Sequence, residues 1–282
     1  MRTSSFLSGA LLLLGGAITG SHAQGECLDK SAVVHTGTPA GKEIKYANLT
    51  FYVAEPDPRN PRTKARAGAA VLYLSDVFGL GIVENKLLAD SFARAGYLTI
   101  VPDLFDGSPA PGDISVPGFN TTEFLARHNP TTIDPKIASS IRYLRRNRRI
   151  SRIGAPGYCF GGRYTFRFAG PSGVASVQNG RDAYIDATYA AHPSLLSAEE
   201  ILAIGAPASI AAAATDPLFD DDARVAAEKT LKQSTQPYRV TVYSGTDHGF
   251  AVRANLADPE QKEGKEEAFL QAVAWFDRWL LA

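Results

Sequence analysis

Residues 152–162, RIGAPGYCFGG, combine a strand-like apolar run with a sharp turn at Cys159 and helix-like sequence after it. Glycine stands two residues before the cysteine and two residues after it, at Gly157 and Gly161. A nucleophile on a tight turn between strand and helix needs small residues there, because the flanking backbones nearly touch. The stretch therefore predicts a nucleophile turn in an α/β fold, with cysteine in place of serine. A buried structural cysteine is the alternative, and Pro156 is unexpected inside a central strand.

Strand-like and helix-like segments alternate on both sides of this stretch. The strand-like runs are 44–53, 69–75, 98–101, 152–158, 184–190, 208–214 and 238–243. The helix-like runs are 83–95, 135–149, 160–169, 222–233 and 260–281. This alternation predicts an α/β fold with a mostly parallel central sheet and helices on both faces. In such a sheet the ligand site lies beyond the carboxyl ends of the strands.

The first residues differ from the rest of the chain. Arg2 precedes an apolar run from Phe6 to Ile18, and Ser21-His22-Ala23 offers small residues where a signal peptidase cleaves. A membrane anchor is the alternative, but the run is well short of the roughly 20 residues that span a bilayer. We interpret residues 1–23 as a secretory signal peptide and residues 24–282 as one secreted domain without a membrane span.

Two Asn-x-Thr sequons begin at Asn48 and Asn120. In a eukaryotic host both are candidate glycosylation sites, so the sequence favours a secreted glycoprotein.

Composition narrows the classes of function. The chain has 282 residues, of which 45% are apolar and 21% charged, as in soluble globular enzymes. Lys plus Arg and Asp plus Glu both number 29, so overall charge favours neither nucleic acid nor anionic lipid as a partner. Two cysteines exclude a disulfide-dense scaffold and a four-cysteine zinc module. No phosphate-binding loop, dinucleotide fingerprint or His-x-x-x-His spacing is present, so no metal or cofactor is predicted. The oligomeric state stays open.

An acid and a histidine follow Cys159 in the chain order expected for a nucleophile on such a turn. Asp216 ends the apolar run 208–214, and His248 follows the last predicted strand. Taken singly, Asp216 is equally typical of a turn before proline, and His248 of a loop. Among the other histidines His192 also follows a strand, but it precedes the acid. The sequence therefore favours Cys159, Asp216 and His248 as the reacting group.

With these residues the chain resembles the dienelactone hydrolases of the α/β-hydrolase superfamily, in particular their secreted fungal members. The resemblance rests on the GYCFGG turn, on Asp216 and on His248-Gly249-Phe250. DVFGL at residues 76–80 and PDLF at residues 102–105 support it. The likeness covers most of the chain after the predicted signal peptide.

The resemblance implies a role for each site residue. Cys159 is the expected nucleophile, His248 the base and Asp216 the residue that orients the base, while the backbone N–H groups of Val77 and Phe160 form the oxyanion hole. The implied reaction is hydrolysis of an ester or lactone bond in a small molecule through a thioester acyl-enzyme. It needs no cofactor.

Asp76 departs from the family's pattern, because the family has the longer glutamate near the resting thiol at this position. We therefore expect Asp76 to modulate the Cys159 thiol in an altered way.

The family also holds a substrate carboxylate with two arginines. Here Phe105 is followed by Asp106-Gly107 where the first arginine is expected, and Arg253 matches the second only approximately. Arg253 is thus the expected substrate-binding cation, and the alternative is a solvated loop arginine. Arg163 or Arg181 is a candidate for a second substrate-binding cation. Dienelactone itself is a doubtful substrate on this pattern.

Two other classes of protein stay open. A catalytically inactive binding protein with the same fold would be supported by a disulfide between Cys27 and Cys159, which would remove the nucleophile. A nucleic-acid-binding surface would use the arginines at the end of the helix-like run 135–149. Cations also suit a helix C-terminus, so those arginines are equally typical of a solvated helix end.

Overall fold

The computed structural model describes residues 29–180 and 182–282 of the chain. The predicted signal peptide, Cys27 and Arg181 lie outside these residues. The described residues form an eight-stranded sheet. Its strands are β1 (Lys42–Tyr46), β2 (Leu49–Ala54), β3 (Ala69–Leu72), β4 (Leu98–Pro102), β5 (Arg152–Tyr158), β6 (Ala187–Ala191), β7 (Ala208–Thr215) and β8 (Tyr238–Asp247).

The strand order across the sheet is β1-β2-β4-β3-β5-β6-β7-β8. β2 is antiparallel to both of its neighbours, whereas every pair from β4 to β8 is parallel. The prediction of a mostly parallel sheet is therefore confirmed. The prediction of one strand over residues 44–53 is wrong, because β1 and β2 pair as a hairpin around Ala47 and Asn48. Ala47 has a φ of +50° without being glycine, so the apolar pattern gave no sign of the turn.

Ten α-helices accompany the sheet within the described residues. They are α1 (Pro61–Ala65), α2 (Val83–Arg94), α3 (Thr121–Arg127), α4 (Pro130–Arg142), α5 (Phe160–Arg167), α6 (Val174–Asn179), α7 (Ala198–Leu202), α8 (Asp221–Leu231), α9 (Phe250–Arg253) and α10 (Pro259–Leu280). Short 3-10 or π turns span Lys30–Ala32, Gly79–Gly81 and Tyr143–Asn147.

The five predicted helices correspond to α2, α4, α5, α8 and α10. The largest difference is at α4, which begins five residues earlier than predicted, continues through Pro135 and ends at Arg142, where a π turn over Tyr143–Asn147 follows. Its start is set by Asn129, whose side chain accepts the Thr131 N–H, and by Pro130 in the first helical position, where no N–H is needed. The unpredicted helices are short and carry too few turns for a clear apolar period.

Strand side chains alternate between the two faces of the sheet, where buried apolar residues form three clusters. On one face α2 and α10 meet, with the rings of Phe92 and Phe269 4.9 Å apart. On the other face α4 and α5 cover Ile153 and Ala155 of β5. Gly154 faces α10 closely, since a Cβ there would lie 2.6 Å from a ring carbon of Phe276. Helices therefore cover both faces, as predicted.

Pro156 lies where the pairing of β5 with β3 is interrupted. The regular ladder ends at the pair Val71 and Gly154, and an isolated bridge follows between Leu74 and Gly157. The Pro156 carbonyl still accepts the Leu74 N–H at 2.9 Å. The strand tolerates a residue without an N–H because it stands in this gap.

Candidate active site

Five polar residues come together beyond the carboxyl ends of the strands. Cys159, His192, Asp216 and His248 directly follow β5, β6, β7 and β8, and Asp76 follows the end of β3. Parallel strands end at the same edge of a sheet, so residues distant in sequence share one site there. The fold thus brings together the predicted residues at the predicted edge.

Cys159 occupies a strained turn between β5 and α5. Its φ of +49° and ψ of −113° lie outside the regions that side-chain-bearing residues favour. A Cβ at Gly157 would lie 2.4 Å from the Gly161 carbonyl oxygen, and one at Gly161 would lie 2.1 Å from the Leu74 carbonyl oxygen. Both positions therefore require glycine. The turn places the Cys159 side chain at the N-terminus of α5, where the helix dipole favours an anion.

Buried ion pairs hold α5 against its neighbours. Arg167 contacts Asp134 of α4 at 3.1 Å and Glu200 of α7 at 2.7 Å. Arg163, one turn after the cysteine, also donates to Glu200 at 2.8 Å. Removing one partner from such a network leaves a buried charge uncompensated. Arg163 is therefore paired with Glu200 in the scaffold and is not free to serve as the second substrate-binding cation that the sequence left open.

His248 and Asp216 form a close pair. The His248 Nδ1 is 2.8 Å and 2.9 Å from the two carboxylate oxygens of Asp216. The Asp216 Oδ1 also accepts the N–H groups of Leu218 and Phe219, which fix the carboxylate. A carboxylate only accepts hydrogen bonds, so Nδ1 carries the proton and Nε2 is the free ring nitrogen of the neutral histidine.

The surroundings of His248 favour its charged form. Burial lowers its pKa, but the hydrogen bond to Asp216 and the interaction with Cys159 outweigh that effect and raise the pKa to about 9. Nε2 is buried, and no nitrogen or oxygen of the described residues forms a hydrogen bond with it. An imidazolium beside the cysteine sulfur is thus electrostatically supported.

Asp76 is fully buried and held on one side. Its Oδ1 accepts the Phe78 N–H at 3.1 Å and the Asn85 amide at 2.8 Å. Its Oδ2 faces the Arg253 Nε at 3.5 Å. Burial raises the pKa of Asp76, and the contacts with Asn85, Arg253 and the Phe78 N–H only partly offset this. Asn85 was not predicted, because an asparagine in an amphipathic helix gives no sign that it points inward.

Arg253 lies on α9 and is not a solvated loop residue. Its guanidinium is 4.5 Å from the centre of the Phe78 ring and pairs with Asp76, while a third of the side chain stays exposed. Two of the positions that depart from the family's pattern therefore contact each other. A ligand carboxylate at Arg253 would compete with Asp76.

Val77 and Phe160 lie on adjoining segments. Gly161 packs against the carbonyl oxygens of Leu74 and Ser75, which brings the start of α5 against the chain that leads to Val77. Phe160 is the first residue of α5, whose leading N–H groups have no partner within the helix.

Two residues after β6 also reach the site. The Ser194 Oγ is 3.7 Å from the Cys159 Sγ. The His192 ring is fully buried, with its centre 5.0 Å from that of His248, and burial lowers the pKa of His192 well below its usual value. His192 is therefore neutral and lies beside the proposed base. Sequence reasoning missed Ser194, whose only signal was its place after a strand end.

Three arginines after α4 are engaged in ion pairs. Arg145 contacts Asp186 at 2.9 Å, and Arg148 contacts Glu55 at 2.8 Å. Arg146 likewise pairs with a carboxylate, at 2.9 Å. These pairs reduce the positive charge that a nucleic-acid surface would need.

Three further findings concern the cysteine, metal ligands and membrane spans. Cys159 is a buried free cysteine in the described part of the chain, and the alternative of a disulfide with Cys27 falls outside that part. Within residues 29–180 and 182–282 no group of three or more His, Cys, Asp or Glu side chains is arranged to hold a metal ion. Over the same residues, no helix combines the length and apolarity needed to cross a bilayer.

Comparison with known proteins identifies the family. The model of the dienelactone hydrolase family matches residues 49–280. The chain belongs to the dienelactone hydrolase family. It is 37% identical over 247 residues to the hydrolase pyvD of Aspergillus violaceofuscus, covering 88% of this chain and 94% of that protein. It is 31% identical to dienlactone hydrolase 1 of Gibberella moniliformis, covering 87% and 90% of the two chains.

Solved structures confirm the fold of this dienelactone hydrolase family member. A putative dienelactone hydrolase from Klebsiella pneumoniae superposes with a TM-score of 0.63 at 18% identity, covering 85% of this chain and 98% of that one. The α/β-hydrolase fold is thus established, and the chain is a hydrolase of the ester and lactone class.

Proposed function

We propose that this family member hydrolyses an ester or lactone through Cys159, with His248 as the base and Asp216 as the residue that orients it. The observation that carries the proposal is the close pair of His248 and Asp216, at 2.8 Å and 2.9 Å, at the same sheet edge as a cysteine on a strained turn. Nucleophile, base and orienting acid are the parts that such a reaction needs.

In the first half of the reaction, the proton of the Cys159 thiol passes to the His248 Nε2, a transfer that the raised pKa of His248 favours, and the resulting thiolate forms a bond to the substrate's carbonyl carbon. The N–H groups of Val77 and Phe160 stabilise the negative charge that develops on the carbonyl oxygen. As the carbon–oxygen single bond breaks, His248 returns the proton to the leaving alcohol oxygen. The acyl group stays on Cys159 as a thioester.

In the second half, a water molecule gives a proton to His248 and attacks the thioester carbonyl. The carbon–sulfur bond breaks, the acid leaves, and the proton on His248 restores the thiol. Asp216 keeps the imidazole in the tautomer that both halves require.

The surroundings favour neutral, partly apolar substrates. Arg253 is already paired with Asp76, so a substrate carboxylate gains from it only by displacing that pair. The segments that carry Ser194 and Asp216 also expose large apolar side chains, Leu195 and Leu218, which are 48% and 55% accessible. Exposed apolar groups next to a polar reaction centre suit an apolar acyl or alcohol part.

We also propose that the protein is secreted and glycosylated. The support is the sequence of residues 1–23 together with the exposure of both sequon asparagines. Asn48 is in the turn between β1 and β2, and Asn120 precedes α3. A mass decrease at both sequons after enzymatic deglycosylation of protein from the native culture medium is expected. Protein that stays inside the cell with an intact N-terminus would contradict secretion.

The proposed reaction is tested by a screen of short acyl esters, neutral lactones and carboxylated lactones with the intact protein and Cys159→Ala. We expect turnover of neutral esters or lactones by the intact protein and only background rates with Cys159→Ala. Equal rates with both proteins would show that Cys159 is not the nucleophile.

A further inference from the structure

The segment after β6 lies directly against Cys159. The Cys159 N–H donates to the Ala191 carbonyl at 3.1 Å, and the Ser194 N–H donates to the Cys159 carbonyl at 3.1 Å. Ser194 is buried, and its Oγ is 3.7 Å from the Cys159 Sγ, within hydrogen-bond distance for sulfur. One short segment thus contacts both backbone groups of Cys159 and its side chain.

The surroundings determine the position of the Ser194 hydroxyl. His192 has a φ of +36°, a region that residues with side chains rarely adopt, and its N–H donates to the Ala211 carbonyl of β7 at 2.8 Å. Pro193 packs on α5, where a Cβ at Gly162 would come within 2.9 Å of its ring. Strained backbone persists only where contacts on several sides enforce it, and it clusters at functional sites.

A buried thiolate needs a hydrogen-bond donor, because burial removes it from water. The Asp76 Oδ1 already accepts from Asn85 and from the Phe78 N–H, and its Oδ2 faces Arg253, so this carboxyl is engaged with donors of its own. A serine hydroxyl both donates and accepts. We propose that Ser194 is a further catalytic residue, whose Oγ accepts a hydrogen bond from the resting Cys159 thiol and donates one to the thiolate.

This role rests on the proposed function of Cys159 and adds one step to it. When the thiol proton moves to the His248 Nε2, the Ser194 O–H turns toward the sulfur and holds the negative charge until the carbonyl carbon is attacked. The hydroxyl keeps its own proton throughout. The titratable or charged groups around the sulfur lie at four strand ends and on α9; they are Asp76, His192, Asp216, His248 and Arg253. The Ser194 variants leave all five residues in place.

The test measures the rate at which iodoacetamide alkylates Cys159 in the folded protein at a series of pH values. The profile of rate against pH for Ser194→Ala is compared with that of the intact protein. We expect the midpoint of the profile to move up by about one pH unit. We also expect kcat for a neutral ester to fall about tenfold, which corresponds to about 1.4 kcal/mol, with KM little changed. Ser194→Thr, which keeps a hydroxyl, is expected to restore much of both.

Ser176→Ala is the matched control. Ser176 is buried like Ser194, but its hydroxyl has no hydrogen-bond partner in the described structure. It is expected to leave the alkylation profile and kcat unchanged. An unchanged or downward-shifted profile in Ser194→Ala would overturn the proposal. So would equal losses in the Ser194 and Ser176 variants, since these would point to packing alone.

Ser194→Gly is a second hydroxyl-free variant for use if Ser194→Ala does not fold, and the same upward shift is required of it. Failure of this inference is distinguishable from failure of the proposed function. In the first case Cys159→Ala is inactive while Ser194→Ala behaves like the intact protein. In the second case Cys159→Ala itself stays active.

Discussion

Replacing Asp216 by asparagine separates the orienting role of the carboxylate from its role in folding. The Asp216 Oδ1 accepts the Leu218 and Phe219 N–H groups, and an asparagine oxygen satisfies both equally. The asparagine NH₂ then takes the place of Oδ2, which is 2.9 Å from the His248 Nδ1. A donor now faces Nδ1 where a second acceptor stood, and the asparagine oxygen at 2.8 Å carries no charge, so the site no longer strongly favours the Nδ1–H tautomer that accepts the thiol proton at Nε2.

The size of the effect follows from the pKa of His248, which is about 9 against an ordinary 6.5. At about 1.36 kcal/mol per pH unit, the site favours the imidazolium by roughly 3 kcal/mol. Asp216 and Cys159 both contribute to this stabilisation. Loss of between half and all of it predicts a fall in kcat/KM of about 10- to 200-fold in Asp216→Asn.

The assay is kcat/KM for one neutral ester between pH 5 and 10, with unfolding by urea to verify the fold. Asp220→Asn is the matched control, because Asp220 lies on the same loop and caps α8, where asparagine serves equally well. It is expected to keep full activity. If Asp216→Asn retains the activity and pH profile of the intact protein, or if both variants lose activity equally, the reasoning about the carboxylate is refuted.

Three further predictions concern stability and selectivity. Gly161→Ala is expected to lower the free energy of unfolding, measured by urea titration, by about 2 kcal/mol or more, because its Cβ would lie 2.1 Å from a carbonyl oxygen. Gly112 lies in open space, so Gly112→Ala is the control and is expected to change the same free energy by under about 0.5 kcal/mol. His248 has a raised pKa, so the stability that it contributes is complete below pH 6.5 and is lost as pH rises through about 9. Urea unfolding of the intact protein is expected to show a loss of about 1–3 kcal/mol between these pH values. In Asp216→Asn this dependence on pH is expected to be largely absent. The ratio of kcat/KM for a matched acid and its methyl ester is expected to favour the acid by no more than about 10- to 100-fold, the value of one charge-assisted contact, and to lose any such preference in Arg253→Ala. A larger preference would require a second cation at the site.

Local sequence predicted the parts of the fold that local physics determines. The GYCFGG turn needs Gly157 and Gly161 because two backbones approach within contact distance there, and no other residue type fits. The parallel sheet followed from alternating apolar periods, and the rule on strand ends then located Cys159, Asp216 and His248 at one edge. Each strand, helix and turn that entered these inferences was recognised from a local pattern of about ten residues.

The remainder depended on contacts between distant segments. The contact of Asp76 with Arg253 joins the end of β3 to α9, and nothing in either segment specifies the other. Asn85 has the pattern of an exposed helix residue until α2 packs and turns it toward Asp76. Ser194 reaches the sulfur only because His192 adopts a left-handed backbone. Neither a strained backbone nor a contact between distant segments produces a periodic pattern in the sequence.

The most direct test of the account is to identify the residue that carries the acyl group during turnover. An activated ester is mixed with the intact protein and with Asp216→Asn, in which hydrolysis of the thioester is expected to be slow. Peptide mass spectrometry after an acid quench then locates the acyl group. The account predicts the mass of one acyl group on the Cys159 peptide, lost on treatment with hydroxylamine and absent in Cys159→Ala. Acylation of Ser194, or undiminished turnover by Cys159→Ala, would contradict it.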